Sequence, residues 1–315
     1  MKVPIFTDKE KLTKILDSAG TSPTNLAKQL EVSYMTLWRW LNKDVKPHPR
    51  QSRDIDQLFK EYVDLRDIID SLRKAVKDPL QILKDTPDIR ERFILNMTYH
   101  SNALEGSRMT IKETQAAIVG EKVKGKETFE ILEAINHKNA MRYMFEVINP
   151  DFKIDKAYIL KLHEIIMYNF NNNLPGKYRS GHVNLTNTEK KLPCVQDVPI
   201  RMDKFIKDIN TYNNNYVEKI AKDHYAFETI HPFFDGNGRT GRLISATQLL
   251  SQGFAPAVIR IEDRYNYYMA MGKGDYGDFS NIVQMICDSI IVGYKLILEE
   301  ETLTVKGGNH GTEKG

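Results

Sequence analysis

The side chains best suited to chemistry lie together in one stretch, His231-Pro232-Phe233-Phe234-Asp235-Gly236-Asn237-Gly238-Arg239-Thr240-Gly241-Arg242. Pro232 disfavours the α conformation at His231, so the helical pattern over 216–230 must stop there. A polar Asp-Gly-Asn-Gly turn follows, and a second helical pattern covers 238–252. A helix, a glycine turn and a helix N-terminus aim backbone N–H groups at one spot, which suits a phosphate. Arg239 and Arg242 are three residues apart and share a helix face above that turn. Their guanidinium forks match phosphate oxygens. Asp235 offers a hard carboxylate of the kind Mg²⁺ takes alongside phosphate, and His231 can accept a proton near neutral pH. Singly, a histidine at a helix end, a polar turn and two spaced arginines are ordinary features. Together they describe a phosphoryl-type transfer site.

The elements that must hold this loop are mostly helical. Period-3.6 patterns predict helices over 126–148, 156–169, 197–213, 216–230, 238–252 and 278–299. One interruption, 177–193, alternates partially through Tyr178, Val183, Leu185 and Leu192, and reads as a short β-hairpin. Upstream, helices are expected over 9–18, 23–30 and 34–42, with Ser22-Pro23 as cap and N1 of the second. A longer charged helix is expected over 50–77. This divides the chain into a small module with its connector (1–79), a helical core (80–299) and a glycine-rich tail (300–315) expected to be disordered. The fold class is all-α with one hairpin.

Residues 231–242 match the signature HPFx[DE]GNGRxxR at every defined position and so resemble the Fic family. The resemblance extends to 223–230 ahead of the motif, to Gly176-Lys177-Tyr178-Arg179 with the hairpin after it, and to 264–278, about 80–299 in all. It implies a protein adenylyltransferase, a nucleotidyltransferase that moves AMP from Mg²⁺-ATP to a Ser, Thr or Tyr hydroxyl of a target protein. His231 would be the catalytic base and Phe233 the anchor of the loop. Asp235 would hold the metal, and Gly236, Asn237 and Gly238 would form the anion hole, with the Asn237 side-chain amide contributing. Arg239 and Arg242 would hold the β- and γ-phosphates, and Tyr268 would lie along the nucleoside. Relatives often carry Asn at the position of Asp275. Relatives that act as kinases carry lysine where this chain has Gly238, which favours AMP transfer; the loop alone does not separate AMP from phosphocholine or UMP.

Ser101-Asn102-Ala103-Leu104-Glu105-Gly106 resembles the family's inhibitory pattern, in the class that keeps this helix N-terminal to the core, here expected near 95–106. Ser101 and Glu105 are four apart, on one face of a helix that Gly106 would end. The resemblance implies that Glu105 pairs with Arg242 and keeps it from the γ-phosphate, an autoinhibition. In some relatives the same residue supports removal of AMP. The hairpin, with Val183, Asn184 and Leu185, would be the flap that pairs with the target's backbone. Tyr178 and Arg179 lie just ahead of it.

Residues 26–41 resemble a helix-turn-helix, packed through Leu26, Ala27 and Leu30 on one helix and Leu37 and Leu41 on the next. Ser33, Tyr34, Thr36 and Arg39 are then candidates for DNA contact. Residues 21–53 carry +4 against +3 for the whole chain, so the basic excess sits there. Such a module also serves protein docking. The competing reading of the whole is a nucleotide-sensing, DNA-binding transcription regulator, against which an intact His231 argues. His163-Glu164 lacks the second histidine of a zinc motif.

Composition excludes little. At 41% hydrophobic and 28% charged, the 315 residues are ordinary for a soluble globular protein. Cys194 and Cys287 lack metal-ligand spacing and read as lone thiols, which points to the cytoplasm. No stretch reads as a signal peptide or a membrane span, so no membrane partner is expected; self-association is left open.

Overall fold

The computed structural model describes residues 6–43, 45–150, 152–170, 174–183, 191–211 and 215–298. The described residues contain helices and no strand. The two compact units are 1–68 and 69–315.

The first unit holds α1 (Asp8–Ala19), α2 (Pro23–Gln29), α3 (Tyr34–Asn42), α4 (Pro49–Tyr62) and the start of α5 (Leu65–Ala75). Side-chain caps set the helix starts: Thr7 and Glu10 form a reciprocal capping box, while Ser22 and Ser33 accept the N–H of Asn25 and Thr36. α1 packs on α4 through Leu12, Ile15, Ile55 and the tilted Phe6–Phe59 ring pair at 5.5 Å. Leu26, Ala27 and Leu30 are buried as expected. On α3 the buried partner of Leu37 is Trp40, whereas Leu41 is only half-buried. The single helix expected over 50–77 is two helices. Val63 is extended, and the Asp64 carboxylate accepts the Arg66 N–H at 2.9 Å, starting α5 afresh.

The second unit continues with α6 (Pro79–Asp85), α7 (Pro87–Leu104), α8 (Ile111–Val119), α9 (Thr128–Val147), α10 (Lys156–Ile166) and α11 (Asp197–Ile209). It closes with α12 (Tyr216–Ile230), α13 (Asn237–Ser251), α14 (Arg264–Gly274) and α15 (Ser280–Leu298). α13 is its axis: all but one of its fifteen residues are buried. A helix buried on every face belongs in a core, and α6, α7, α9, α10 and α12 pack around it. Its polar side chains are bonded where they sit. Thr247 Oγ1, for example, donates to Leu243 O at 2.8 Å and meets Tyr158 Oη at 2.6 Å. α15 is long and apolar enough to cross a membrane on length and composition alone, more than the sequence reading allowed. It packs on α12, α14, α7 and α6, with Ile282, Ile286, Ile290 and Ile297 buried.

Two helices end earlier than periodicity predicts. α10 gives way at Met167, and Asn169 turns left-handed at φ 62°. α11 stops at Ile209, with Asn210 as its cap; the Asn210 Oδ1 accepts Ile154 N–H at 3.0 Å and its Nδ2 donates to Ile154 O at 2.7 Å and to Ile206 O at 2.9 Å. The helix carrying Ser101 starts at Pro87, well before 95. The hairpin is not seen as a strand pair in 177–183 or 191–196, and 184–190, with Asn184 and Leu185, lie outside the described residues. The expected tail, 300–315, also lies outside them.

Candidate active site

α12 ends where Pro232 requires. His231 takes φ 48°, ψ 61°, and its N–H closes on Phe227 O at 3.0 Å. A non-glycine residue in the left-handed region is held there by its surroundings. The holder is Arg179, whose Nε donates to His231 O at 2.9 Å and whose backbone N–H donates to Pro232 O at 2.8 Å. Its terminal nitrogens reach Gly181 O at 3.1 Å and Pro193 O at 2.6 Å, so one guanidinium ties the loop to both stems of the predicted flap. His231 Nδ1 faces Glu228 O at 3.3 Å. A carbonyl can only accept, so this contact puts the proton on Nδ1 and leaves Nε2 with its lone pair. Burial, foremost, lowers the pKa of His231 and keeps the ring neutral near pH 7.

Phe233 is fully buried and stacks on His163 with ring centroids 3.6 Å apart and planes 4° from parallel. His163, which sequence reasoning set aside, fixes the loop from below. The Gly176 N–H donates to its Nδ1 at 3.0 Å, so Nε2 carries the proton and donates to Asp235 O at 3.0 Å. Burial pushes its pKa down to about 4, which preserves that tautomer. Asn237 closes the turn: its Oδ1 accepts Phe233 N–H and its Nδ2 donates to Phe233 O, both at 2.9 Å. One N–H of its side-chain amide is thus engaged by the loop.

No side chain caps α13, so its first N–H groups have no acceptor of that kind. Glycines make the approach close. At Gly236 a Cβ would meet Met167 Sδ at 2.9 Å, and at Gly238 it would land on the Glu105 carboxylate and lie 3.0 Å from Arg242 Nη1. The carboxylate over the first turn of α13 is therefore Glu105, which caps α7 ahead of Gly106 at φ 110°. Arg242 Nη2 pairs with Glu105 Oε1 at 2.7 Å and with Ser101 O at 2.8 Å, while Nε donates to Ser101 Oγ at 2.9 Å. Ser101, Glu105 and Arg242 meet as the sequence predicts. Beside them Glu228 has a buried oxygen without a hydrogen-bond partner. Burial and the Glu105 charge push its pKa up to about 8, against the pull of Arg242.

Arg239 points elsewhere. It is 2% exposed, with Nη1 on Glu133 Oε1 at 2.9 Å and Nη2 3.3 Å from Asp235 Oδ1. Asp235 reaches solvent, its side chain 62% exposed, and its Oδ1 also accepts the Gly236 N–H at 2.5 Å. A hard carboxylate, held through one oxygen and open at the other, fits a cation that completes its shell from phosphates and water. Among the described residues no cluster of three His, Cys, Asp or Glu side chains offers an all-protein metal cage. Tyr268 is half-buried and donates to Leu104 O at 3.3 Å, at the end of α7. Tyr225 donates to Asp275 Oδ1 at 2.8 Å. Val183 is half-buried at the start of the predicted flap.

In the first unit, Ser33 Oγ and Thr36 Oγ1 bond each other at 2.9 Å while Ser33 caps α3. Tyr34 and Arg39 face solvent, and so do Met35 and Trp38.

Residues 153–249 match the family described as Fic/DOC. A relative from Nematostella vectensis, "Protein adenylyltransferase Fic", is 29% identical over 245 residues, covering 74% of this chain and 54% of its own. One of the same name from Drosophila grimshawi is 30% identical over 200 residues, covering 60% and 40%. The chain spans about half the length of the curated relatives it matches. Among solved structures, a Fic domain containing signaling protein from Bacteroides thetaiotaomicron aligns with TM-score 0.65 and 22% identity over 80% of this chain and all of that one. Fic-1 from C. elegans aligns with TM-score 0.63 and 20% identity, covering 93% of each. At that identity the structural likeness speaks for the fold.

Proposed function

We propose, on the match of residues 153–249 to the Fic/DOC family, that the chain carries a Fic domain and is a protein adenylyltransferase which moves AMP from ATP to a hydroxyl of a target protein. The observation that carries this reading is the loop between α12 and α13. It sets a neutral imidazole with a free Nε2, a solvent-facing carboxylate and an uncapped helix N-terminus around one spot.

In the proposed step the target's O–H proton passes to His231 Nε2 as the hydroxyl oxygen bonds to the α-phosphorus. The bond to the β-phosphate oxygen breaks and pyrophosphate leaves. The backbone of 236–238 faces the phosphates, and Arg242 takes their outer charge once free of Glu105. Asp235 would hold Mg²⁺, which when bound neutralises phosphate charge. Arg179 keeps His231 in its left-handed conformation and links it to the flap stems, where the target's strand would dock through Val183, Asn184 and Leu185.

Glu105 acts as a brake, because it occupies both the first turn of α13 and the Arg242 guanidinium. The test is transfer of labelled AMP, to the chain itself or to other proteins, with Glu105→Gly beside wild type. Glu105→Gly is expected to raise transfer about tenfold or more, one decade for each 1.4 kcal/mol of competition removed. Adding His231→Ala should abolish it. ATP binding without transfer in any variant would sink the enzyme reading.

We read the first unit as a DNA contact. Tyr34 and Arg39 stand free on α3 within the basic segment 21–53, whereas the Ser33 and Thr36 hydroxyls are bonded to each other. A duplex mobility-shift titration should show binding that weakens with salt and with Arg39→Ala. Salt-independent or absent binding would instead favour the exposed Met35 and Trp38 as a protein-docking face.

A further inference from the structure

α9 carries buried polar side chains where an interior helix ordinarily carries apolar ones. Glu130, Glu133 and His137 lie at i, i+3 and i+7 and so share a face. Glu130 accepts the Arg108 N–H at 2.6 Å just beyond α7, and His137 bonds Thr98 Oγ1 of α7 at 3.1 Å. Between them Glu133 turns to the catalytic loop instead. Its Oε1 takes Arg239 Nη1 at 2.9 Å, and Arg239 Nη2 reaches Asp235 Oδ1 at 3.3 Å. The inner pair is largely shielded, Arg239 at 2% and Glu133 at 13% side-chain exposure, whereas Asp235 is 62% exposed.

A buried ion pair contributes little to stability compared with apolar packing of the same volume, so one retained here calls for another role. Arg239 spends one terminal nitrogen inward and the other on the outward carboxylate. With the Gly236 N–H it pins Oδ1, which turns Oδ2 to solvent. We propose that Glu133 is a positioning residue that, through Arg239, fixes the Asp235 carboxylate for a divalent cation. This rests on the reading of Asp235 as the metal-holding residue. Without the Glu133 charge the guanidinium can swing onto Asp235 and compete with the cation for both oxygens.

The test is calorimetric ATP binding to the full chain, with Mg²⁺ and then with EDTA, for wild type, Glu133→Gln, Glu133→Asp and Asp235→Asn. Binding needs no AMP transfer, so the outcome is separate from that of the activity assay above. Glu133→Gln is expected to weaken binding about tenfold in Mg²⁺, the usual scale for residues that orient metal ligands, and to leave binding in EDTA within about twofold. Glu133→Asp should recover part of the loss, and Glu133→Gln should add nothing in an Asp235→Asn background. Equal losses with and without Mg²⁺, or independent effects in the double variant, would overturn the proposal. If Glu133→Gln does not fold, as judged by circular dichroism, Arg239→Lys carries the same comparison with the same two outcomes.

Discussion

Gly238 shows how much one missing methyl group decides. A Cβ there would collide with the Glu105 carboxylate that rests over α13, so it is the glycine that leaves room for that carboxylate. Gly238→Ala should therefore cost about 1–3 kcal/mol in the wild-type chain, the range for overpacking a filled site. In a Glu105→Gly background it should be neutral or stabilising by up to about 1 kcal/mol, since alanine is the better helix former. Urea denaturation of the four proteins closes the cycle; effects that add within about 0.5 kcal/mol would show that the two residues do not touch. Gly241 stands under a similar constraint, its absent Cβ lying 2.5 Å from Glu228 Oε1. Two of the motif's small residues are thus small because of carboxylates.

Among the elements, α12 was legible to the residue because Pro232 marks its end, and α13 within one position because the turn before it is unmistakable. The break between α4 and α5 was not, since neither Val63 nor Asp64 is a strong breaker. α6 and α8 went unread. Of the site, His231, Asp235, Ser101, Glu105 and Arg242 could be named from the chain, because a local motif keeps its chemistry in sequence order. Glu133, His163 and Arg179 could not be assigned roles. They act on residues tens of positions away, and two of the three act mainly on backbone groups that leave no sequence signal. A helix face shows which side chains point together, not which helix they will meet. Hence the pairing of Arg239 with Glu133 of α9 could not be read from the sequence.

For the molecule as a whole, buried histidines set the response to acid. Burial holds His137 and His224 down to about 3, and His100 and His163 down to about 4. All four have folded pKa values below the unfolded value of about 6.5, so the unfolded chain binds more protons once pH drops beneath it. Their contribution is full above about pH 6.5 and is lost as pH falls from there toward 4. At up to about 1.4 kcal/mol per pH unit for each, the combined slope approaches about 5 kcal/mol per unit, against a typical total of 5–15. The urea midpoint of the second unit should fall steeply between about pH 6 and 4.5, with the raised Glu228 carboxyl opposing about one histidine's share. A midpoint unchanged down to pH 4.5 would contradict this burial.

The pairing of Arg239 and Arg242 also bears on how the site can be transplanted. Their counter-charges, Glu133 and Glu105, come from α9 and α7, outside the 153–249 stretch that matches the family. Grafting 231–242 onto another helical scaffold, or excising 153–249, would carry over both guanidiniums without Glu133 and Glu105. The signature is not a portable cassette; the site depends on carboxylates far from it in sequence.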